Sequence, residues 1–451
     1  MKYPVMPKTI RHLAVDILIQ VQKSQDFASE LISNCLDRHS LSGTPDGRLL
    51  THLVYGVLRF RGHLDWILGK LYRGTLSQID EGVKNILRLS LYQLKYSDRL
   101  PAYAVVDEAV KIAKIIHPKQ TSLVNAILRN YLRRGQNLPF PSEENHTAEY
   151  IAAFHSHPLW LVKKWLKIYG AQETKDLCSA NNDLPPLTLR VNTLKISRES
   201  LRQKLTSDGF DAQLTKYSPD GITLNTSASP IQKTDFFKAG FLRIQDEAAQ
   251  LIAYLIDQRE ELSLLDACAG TGGKTTHLAA MIKNEGRIVA VDRNPERIAE
   301  LKQEAIRLGI YNIEVQTADL CTALPASFKE RFDWVLVDAP CSGTGTLRRN
   351  PEIKWRTTEK DVHQFATAQK IILKHSSAAV KKGGFLIYCT CSLLPEENEN
   401  IITDFLKHNA HFSISSPPPS INAPFIDRHG FFHSYPHKHH MDGLFAAILK
   451  Y

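Results

Sequence analysis

The 451-residue chain is 43% hydrophobic and carries 56 Lys and Arg against 47 Asp and Glu, a globular composition too long for one ordinary core, so two or three domains are expected. No apolar stretch approaches the ~18 residues of a spanning helix, and the opening MKYPVMPKTIRH lacks the apolar segment of a secretory signal, so a soluble, cytoplasmic protein is expected; a monomer is expected as well. Seven cysteines scattered from Cys35 to Cys391 argue against a disulfide framework and for reduced thiols.

Residues 1–140 hold 20 Lys and Arg against 11 Asp and Glu, while the 36 and 36 of the remainder cancel. All the net positive charge therefore lies in the first third, as in a polyanion-docking module joined to a neutral working domain. From residue 8 to about 134 the apolar residues recur at the helical period, as in Ile10, Leu13, Ala14, Ile17, Leu18 and Val21. This third is predicted to be all-helical, with Arg59, Arg61, Arg129, Arg133 and Arg134 near helix ends as candidates for gripping phosphates. The stretch GQNLPFPSEEN ends it near residue 140.

A helical piece around PLWLVKKWLKIYG leads into a short α+β pattern: LTLRVNTLK reads as a strand, SRESLRQKLTSDG as a capped helix and GITLN as a strand. The predicted second segment is thus 141–240. From residue 241 onward strands alternate with helices, the pattern of a doubly wound parallel sheet.

Ligands of such sheets sit at the carboxyl ends of the strands. LSLLDACAGTGGKTTHLAAMI reads as strand, glycine-rich turn and helix, with Gly270, Gly272 and Gly273 allowing close backbone approach to a ligand. RIVAVD ends at Asp292, 20 residues after Gly272, the separation at which a carboxylate takes ribose hydroxyls. IEVQTAD ends at Asp319, FDWVLVD at Asp338 just before Pro340 and Cys341, and FLIYC runs into Thr390 and Cys391. CAGTGGKT nearly fits a phosphate-binding loop, which raises an ATPase, but that loop requires glycine at position 268, where this chain has Cys268. A nicotinamide dehydrogenase lacks its full glycine spacing.

A nucleoside cofactor facing thiols suits S-adenosylmethionine, which carries its own activated methyl group. Methylating C5 of a pyrimidine needs a thiolate to add to C6, because C5 alone is a poor nucleophile. It also needs a partner for N3, for which Asp338 beside Cys341 is the candidate. Cys389 lies within an apolar strand and reads as packing. Cys391 precedes SLLPEENENIITDFLKH, read as a helix with Ser392 as cap and Pro395 as starter, which would lower the thiol pKa. A zinc site built on Cys389, Cys391 and Cys341, and the histidine run HSYPHKHH, are weaker readings, and no structural metal is expected.

At these residues the sequence resembles the 5-cytosine RNA methyltransferases of the Sun/Nop2 family. The likeness rests on DACAGTGGKTTHLA, VDAPCSGTGTLRRNPEIKW, YCTCSLLPEENE and HMDGLFAAIL, with LRVNTLK and RIQDEAAQL upstream. The helical first third is similar to the antitermination factor NusB. The resemblance implies a NusB-like all-α domain (1–140), an α+β RNA-binding insert (within 141–240) and a Rossmann-like class I methyltransferase domain (241–451). It further implies S-adenosylmethionine as cofactor and a cytosine of 16S rRNA, cytosine 967, as target. Cys391 is implied as the attacking thiol, Cys341 as an aid to product release, and Asp338 as a contact to cytosine and cofactor. Cys268, Ala269, Gly270, Thr271, Gly272, Gly273, Lys274, Asp292, Asp319 and Asp338 are the implied cofactor residues. Gly270-Thr271 departs from the family's Ala-Pro, which is expected to loosen the turn. The loop TGTLRRNPEIKW, with Arg348, Arg349, Lys354 and Trp355, is a candidate for holding RNA. The rival reading without catalysis is an RNA-binding, antitermination-like protein.

Overall fold

The computed structural model describes residues 8–24, 26–97, 100–135, 138–225, 230–257, 262–418 and 423–451. By contacts the chain divides into two units, one of residues 1–183 with 347–356, the other of 184–346 with 357–451.

The first unit is helical throughout, as the periodicity predicts. Its long helices span Ile10–Lys23, Ala28–Arg38, Pro45–Leu71, Glu81–Tyr96, Ala102–Ile116 and Thr121–Arg134. Local chemistry fixes several starts: the hydroxyl of Thr44 accepts from Gly47 N–H ahead of Pro45, and the Asp80 carboxylate accepts from Gly82 and Val83 N–H. The apolar stripes, such as Leu50, Leu53, Val54, Val57 and Leu64, close into one core, each buried side chain contributing about 1.5–3 kcal/mol. Where the sequence suggests a break near residue 140, the helices Thr147–Phe154 and Leu159–Ala180 stay with this unit. Phe140 stacks on Trp66, and Ser156 Oγ accepts from Gly62 N–H at 2.9 Å, which ties them to it.

The segment 347–356 belongs to this helical unit and is about half buried, and the burial of Lys354 corrects the RNA-holding role expected of it. Lys354 is 2% exposed and its ammonium donates to Arg59 O, Ser156 O and Asn182 Oδ1 at 2.7, 3.0 and 3.0 Å. Trp355 Nε1 donates to Leu58 O at 2.6 Å. Arg59, expected at phosphates, is also buried and donates to Arg348 O at 2.9 Å. Glycine at position 62 lets the Trp355 ring pack close, since a Cβ there would come within 2.7 Å of it.

In the second unit a four-stranded antiparallel sheet joins β1 (Leu187–Val191), β2 (Ala212–Leu214), β3 (Gly221–Leu224) and β4 (Leu242–Ile244) in the order β2-β3-β1-β4. The helix Arg198–Ser207, capped by Ser197 as predicted, covers one face, with Leu189, Val191, Leu201, Leu205 and Ile222 between.

The larger sheet comprises β5 (Ser263–Asp266), β6 (Arg287–Asp292), β7 (Ile313–Thr317), β8 (Phe332–Asp338), β9 (Val380–Thr390), β10 (Ser413–Ile414), β11 (Phe432–Ser434) and β12 (Leu444–Lys450). Its order is β10-β12-β9-β8-β5-β6-β7, with β11 pairing β12. β5 to β9 are parallel and β12 is antiparallel to β9. Helices Gly273–Met281, Pro295–Leu308 and Glu359–Ser377 form the crossovers. β8 and the second half of β9, FLIYC, read as nearly unbroken apolar runs because cores lie on both faces of the sheet. The order reverses between β5 and β8, and that switch point is where such a sheet opens a ligand cleft. No helix among the described residues is long and apolar enough to cross a membrane.

Candidate active site

A cleft of about 520 Å³ opens at the carboxyl ends of β5, β6 and β8. Cys268, Ala269, Gly270, Thr271, Gly273, Lys274, Asp292, Asp319, Asp338, Cys341 and Cys391 all line it. Gly272 is not in the wall. It caps the following helix at φ +82°, and a Cβ there would meet Leu301 at 2.7 Å, so its role is to shape the turn.

The carboxylates are held open toward the cleft by backbone donors. Asp292 accepts from Gly270 N–H and Asn294 N–H, both at 2.9 Å, and Asp319 accepts from Cys321 N–H at 2.8 Å. Each retains further lone pairs for ligand hydroxyl or amino groups. Gly270, at φ +55°, has nothing within 4 Å of where a Cβ would stand, so the loop presents bare backbone to the cleft. This donor set and the bare glycine suit a nucleoside with a cationic tail. The Lys274 ammonium lies 2.5 Å from Asp338. Burial pulls its pKa down, but the Asp338 carboxylate outweighs that and holds it above the ordinary lysine range. The phosphate-loop reading needs that ammonium for phosphate.

The Cys341 and Cys391 sulfurs stand 3.2 Å apart. The contact with Cys391 and then burial push the Cys341 thiol well above its ordinary pKa, so Cys341 stays protonated. Cys389 is fully buried in the apolar core, as its place in the strand predicts, and its thiol reaches Asp338 Oδ1 at 3.4 Å.

One expectation is corrected. The helix after Cys391 begins at Glu399, and Pro395–Glu397 form only a 3₁₀ turn, so Cys391 does not sit at a helix N-terminus. Ser392 is instead drawn to the buried Glu397, whose carboxylate also accepts from Ser342 N–H at 2.8 Å and from Ser342 Oγ. Burial raises the Glu397 pKa, and the serine hydrogen bonds work against it.

Sequence reasoning missed Glu397 and also Asp266, which lies beneath the glycine loop, accepts from Thr275 Oγ1 at 2.7 Å and is 1% exposed. Burial pushes its carboxyl up to about 7. Its position at the end of β5 was a usable signal. Phe365, Ala368 and Ile372 line the cleft from the helix Glu359–Ser377 at helical spacing, a pattern indistinguishable from core in sequence. Among the described residues no group of three or more His, Cys, Asp or Glu could hold a metal, and His433 of the histidine run lies beside Asp427 and Glu399.

Three segments of the chain match known families. Residues 253–450 match the family model for 16S rRNA methyltransferase RsmB/F, 8–133 the NusB family, and 157–231 the ferredoxin-like domain of RsmF/B-like methyltransferases. The chain is 35% identical over 451 residues to the "Probable ribosomal RNA small subunit methyltransferase B" of Bacillus subtilis strain 168, covering 99% of each. It is 35% identical over 395 residues to ribosomal RNA small subunit methyltransferase B of Photorhabdus laumondii, covering 87% of this chain and 88% of the relative. The crystal structure of PH0851 superposes with a TM-score of 0.84 at 26% identity, covering 100% of each chain. The chain therefore belongs to the RsmB/F family of 16S rRNA methyltransferases, enzymes that draw their methyl group from S-adenosylmethionine.

Proposed function

We propose that the protein methylates C5 of a specific cytosine in 16S rRNA through a covalent bond from Cys391 to C6. The observation that carries this reading is the pair of thiols 3.2 Å apart in the cleft that also gathers Asp292, Asp319 and Asp338. Methylating an oxygen or nitrogen lone pair gives two thiols no work, whereas C5 chemistry needs one to attack and a second group to manage release.

S-adenosylmethionine, when bound, supplies the activated methyl group. Asp292 would accept from the ribose hydroxyls, Asp319 and the backbone of residues 268–274 would border the nucleoside, and Asp338 would face the methionine end and the cytosine edge. Lys274 orients Asp338, since their opposite charges meet across 2.5 Å. The Cys391 thiolate forms a bond to C6 while the C5–C6 electron pair moves to C5; C5 would then take the methyl group as its bond to the sulfonium sulfur breaks, that electron pair staying on the sulfur of the departing S-adenosylhomocysteine. The C5 proton passes to a base, its electron pair restores the C5–C6 double bond, and the C6–sulfur bond breaks. Cys341, held protonated, donates its S–H toward Cys391 and favours the free sulfur as product leaves. The target base must be unpaired or flipped to reach the thiols.

The test uses the two cysteine variants with 16S rRNA and S-adenosylmethionine. Cys391→Ala should lose methyl transfer and keep rRNA affinity, while Cys341→Ala should accumulate a protein–RNA adduct stable to denaturing electrophoresis. Adduct accumulation in Cys391→Ala instead would invert the assignment of the two sulfurs. Unchanged transfer in both variants would end the covalent reading.

A further inference from the structure

Two arginines stand directly opposite each other on β1 and β4, Arg190 paired with Arg243. Like charges at such a pair repel and should be disfavoured. Arg190 is 2% exposed, and burial followed by the Arg243 charge lowers its pKa to about 9. Its hydrogen-bond acceptors are neutral: Gln245 Oε1 at 2.7 Å, Gly273 O at 2.5 Å and Thr276 Oγ1 at 3.0 Å. Arg243 donates to both Thr271 O and Thr271 Oγ1 at 3.0 Å and pairs with Glu304 at 3.3 Å.

Docking one sheet on another does not need this. Apolar residues of similar volume generally dock as well without the cost of burying charge. What the arginines have in common is their target, the loop over the cleft, at its carbonyls on residues 271 and 273. Drawing these carbonyls toward the small sheet leaves the other side of the loop to the ligand. The turn passes through left-handed backbone at Gly270 and Gly272, a conformation that glycine permits but does not by itself select.

We propose that Arg190 and Arg243, from the small sheet, are positioning residues that hold the glycine loop in its cofactor-binding shape. The small sheet is thus one wall of the machinery that binds S-adenosylmethionine, although neither guanidinium lines the cleft. The Thr271 hydroxyl, where the resembling family has proline, gives Arg243 a second acceptor, so the departure at this position is compensated by a hydrogen bond. The inference rests on the cleft being the S-adenosylmethionine site.

Arg243→Lys keeps the charge but cannot bridge Thr271 and Glu304 with one fork, and Arg190→Met is the second variant. Two measurements on the ligand-free full chain and its complex decide the matter. By calorimetry, the dissociation constant for S-adenosylhomocysteine should rise about tenfold or more in Arg243→Lys, with rRNA affinity within about twofold of the parent. By hydrogen exchange without ligand, amides of residues 270–274 should exchange about tenfold faster while those of β6 and β8 keep their rates. Unchanged affinity and unchanged exchange in Arg243→Lys would overturn the proposal, whether or not Arg190→Met folds. If the parent protein does not bind S-adenosylhomocysteine, the cofactor reading fails, and the exchange rates alone still decide whether the arginines hold the loop.

Discussion

The sulfurs of Cys341 and Cys391 lie 3.2 Å apart although 50 residues separate them in sequence. Two reduced thiols this close can be joined by a mild oxidant. Diamide takes up their two hydrogens, becoming the hydrazine, and a disulfide forms. Treatment of the ligand-free enzyme should therefore abolish methyl transfer and add one intramolecular Cys341–Cys391 link, seen by peptide mass mapping. Dithiothreitol should restore activity. Activity that survives diamide, with the link formed, would mean that the thiols do no chemistry.

Glu397 ties together the two chain segments that carry the sulfurs. Its buried carboxylate accepts from Ser342 and Ser392, the residues that directly follow the two cysteines. Glu397→Gln keeps the shape and can still bond to both serines, whereas Glu397→Ala leaves two buried hydroxyls without their acceptor, at about 1–3 kcal/mol each. The Ala variant should close the Cys341–Cys391 disulfide at least several-fold more slowly under diamide, and Gln should restore the rate. Equal rates in all three proteins would show that Glu397 does not set the thiol geometry.

Much of this site is legible in the chain because strand ends announce themselves. An apolar run that stops at Asp, or at Asp-Ala-Pro-Cys, marks the ligand edge of a parallel sheet, and Asp292, Asp319, Asp338, Cys341 and Cys391 do meet at one cleft. Arg190 and Arg243 were illegible because they act on a loop supplied by a different sheet, 28 or more residues away in sequence. Lys354 and Trp355 misled for a related reason. Basic and aromatic residues in a polar loop look like a nucleic-acid grip, and only the packed structure shows the ammonium ringed by three acceptors. The helix expected at Ser392 starts late: the serine hydroxyl does accept from Leu394 N–H at 3.1 Å, but only a 3₁₀ turn at Pro395–Glu397 follows, and the α-helix begins at Glu399.

Burial of the Lys354 ammonium makes it a stability residue. Lys354→Ala strips the donor from Arg59 O, Ser156 O and Asn182 Oδ1, for an expected loss of about 3 kcal/mol or more. Exposed Arg133 and Arg134, by contrast, should act on RNA alone. Arg133→Ala with Arg134→Ala should keep the melting temperature and lower rRNA affinity, with the salt slope reduced by about 0.7–0.9 for each phosphate no longer neutralised. If Lys354→Ala keeps its melting temperature and loses rRNA affinity, the loop holds RNA after all.

Asp266 links the cofactor loop to pH. An unfolded aspartate titrates near 3.9, whereas in the fold burial, with help from the Asp338 charge and against the Thr275 hydrogen bond, raises this carboxyl to about 7. The folded state therefore binds the proton more tightly, so this group's stabilisation is complete below pH of about 4 and is lost as pH rises to about 7. At ~1.4 kcal/mol per unit, the loss is on the order of a few kcal/mol. Asp266→Asn still offers Thr275 an acceptor and cannot ionise, so it should remove the slope. In ligand-free protein the melting temperature of Asp266→Asn minus that of the parent should climb from pH 4 to 7 and level off above. A constant difference across that range would mean that Asp266 stays ionised in the fold, with Lys274 as its compensating charge.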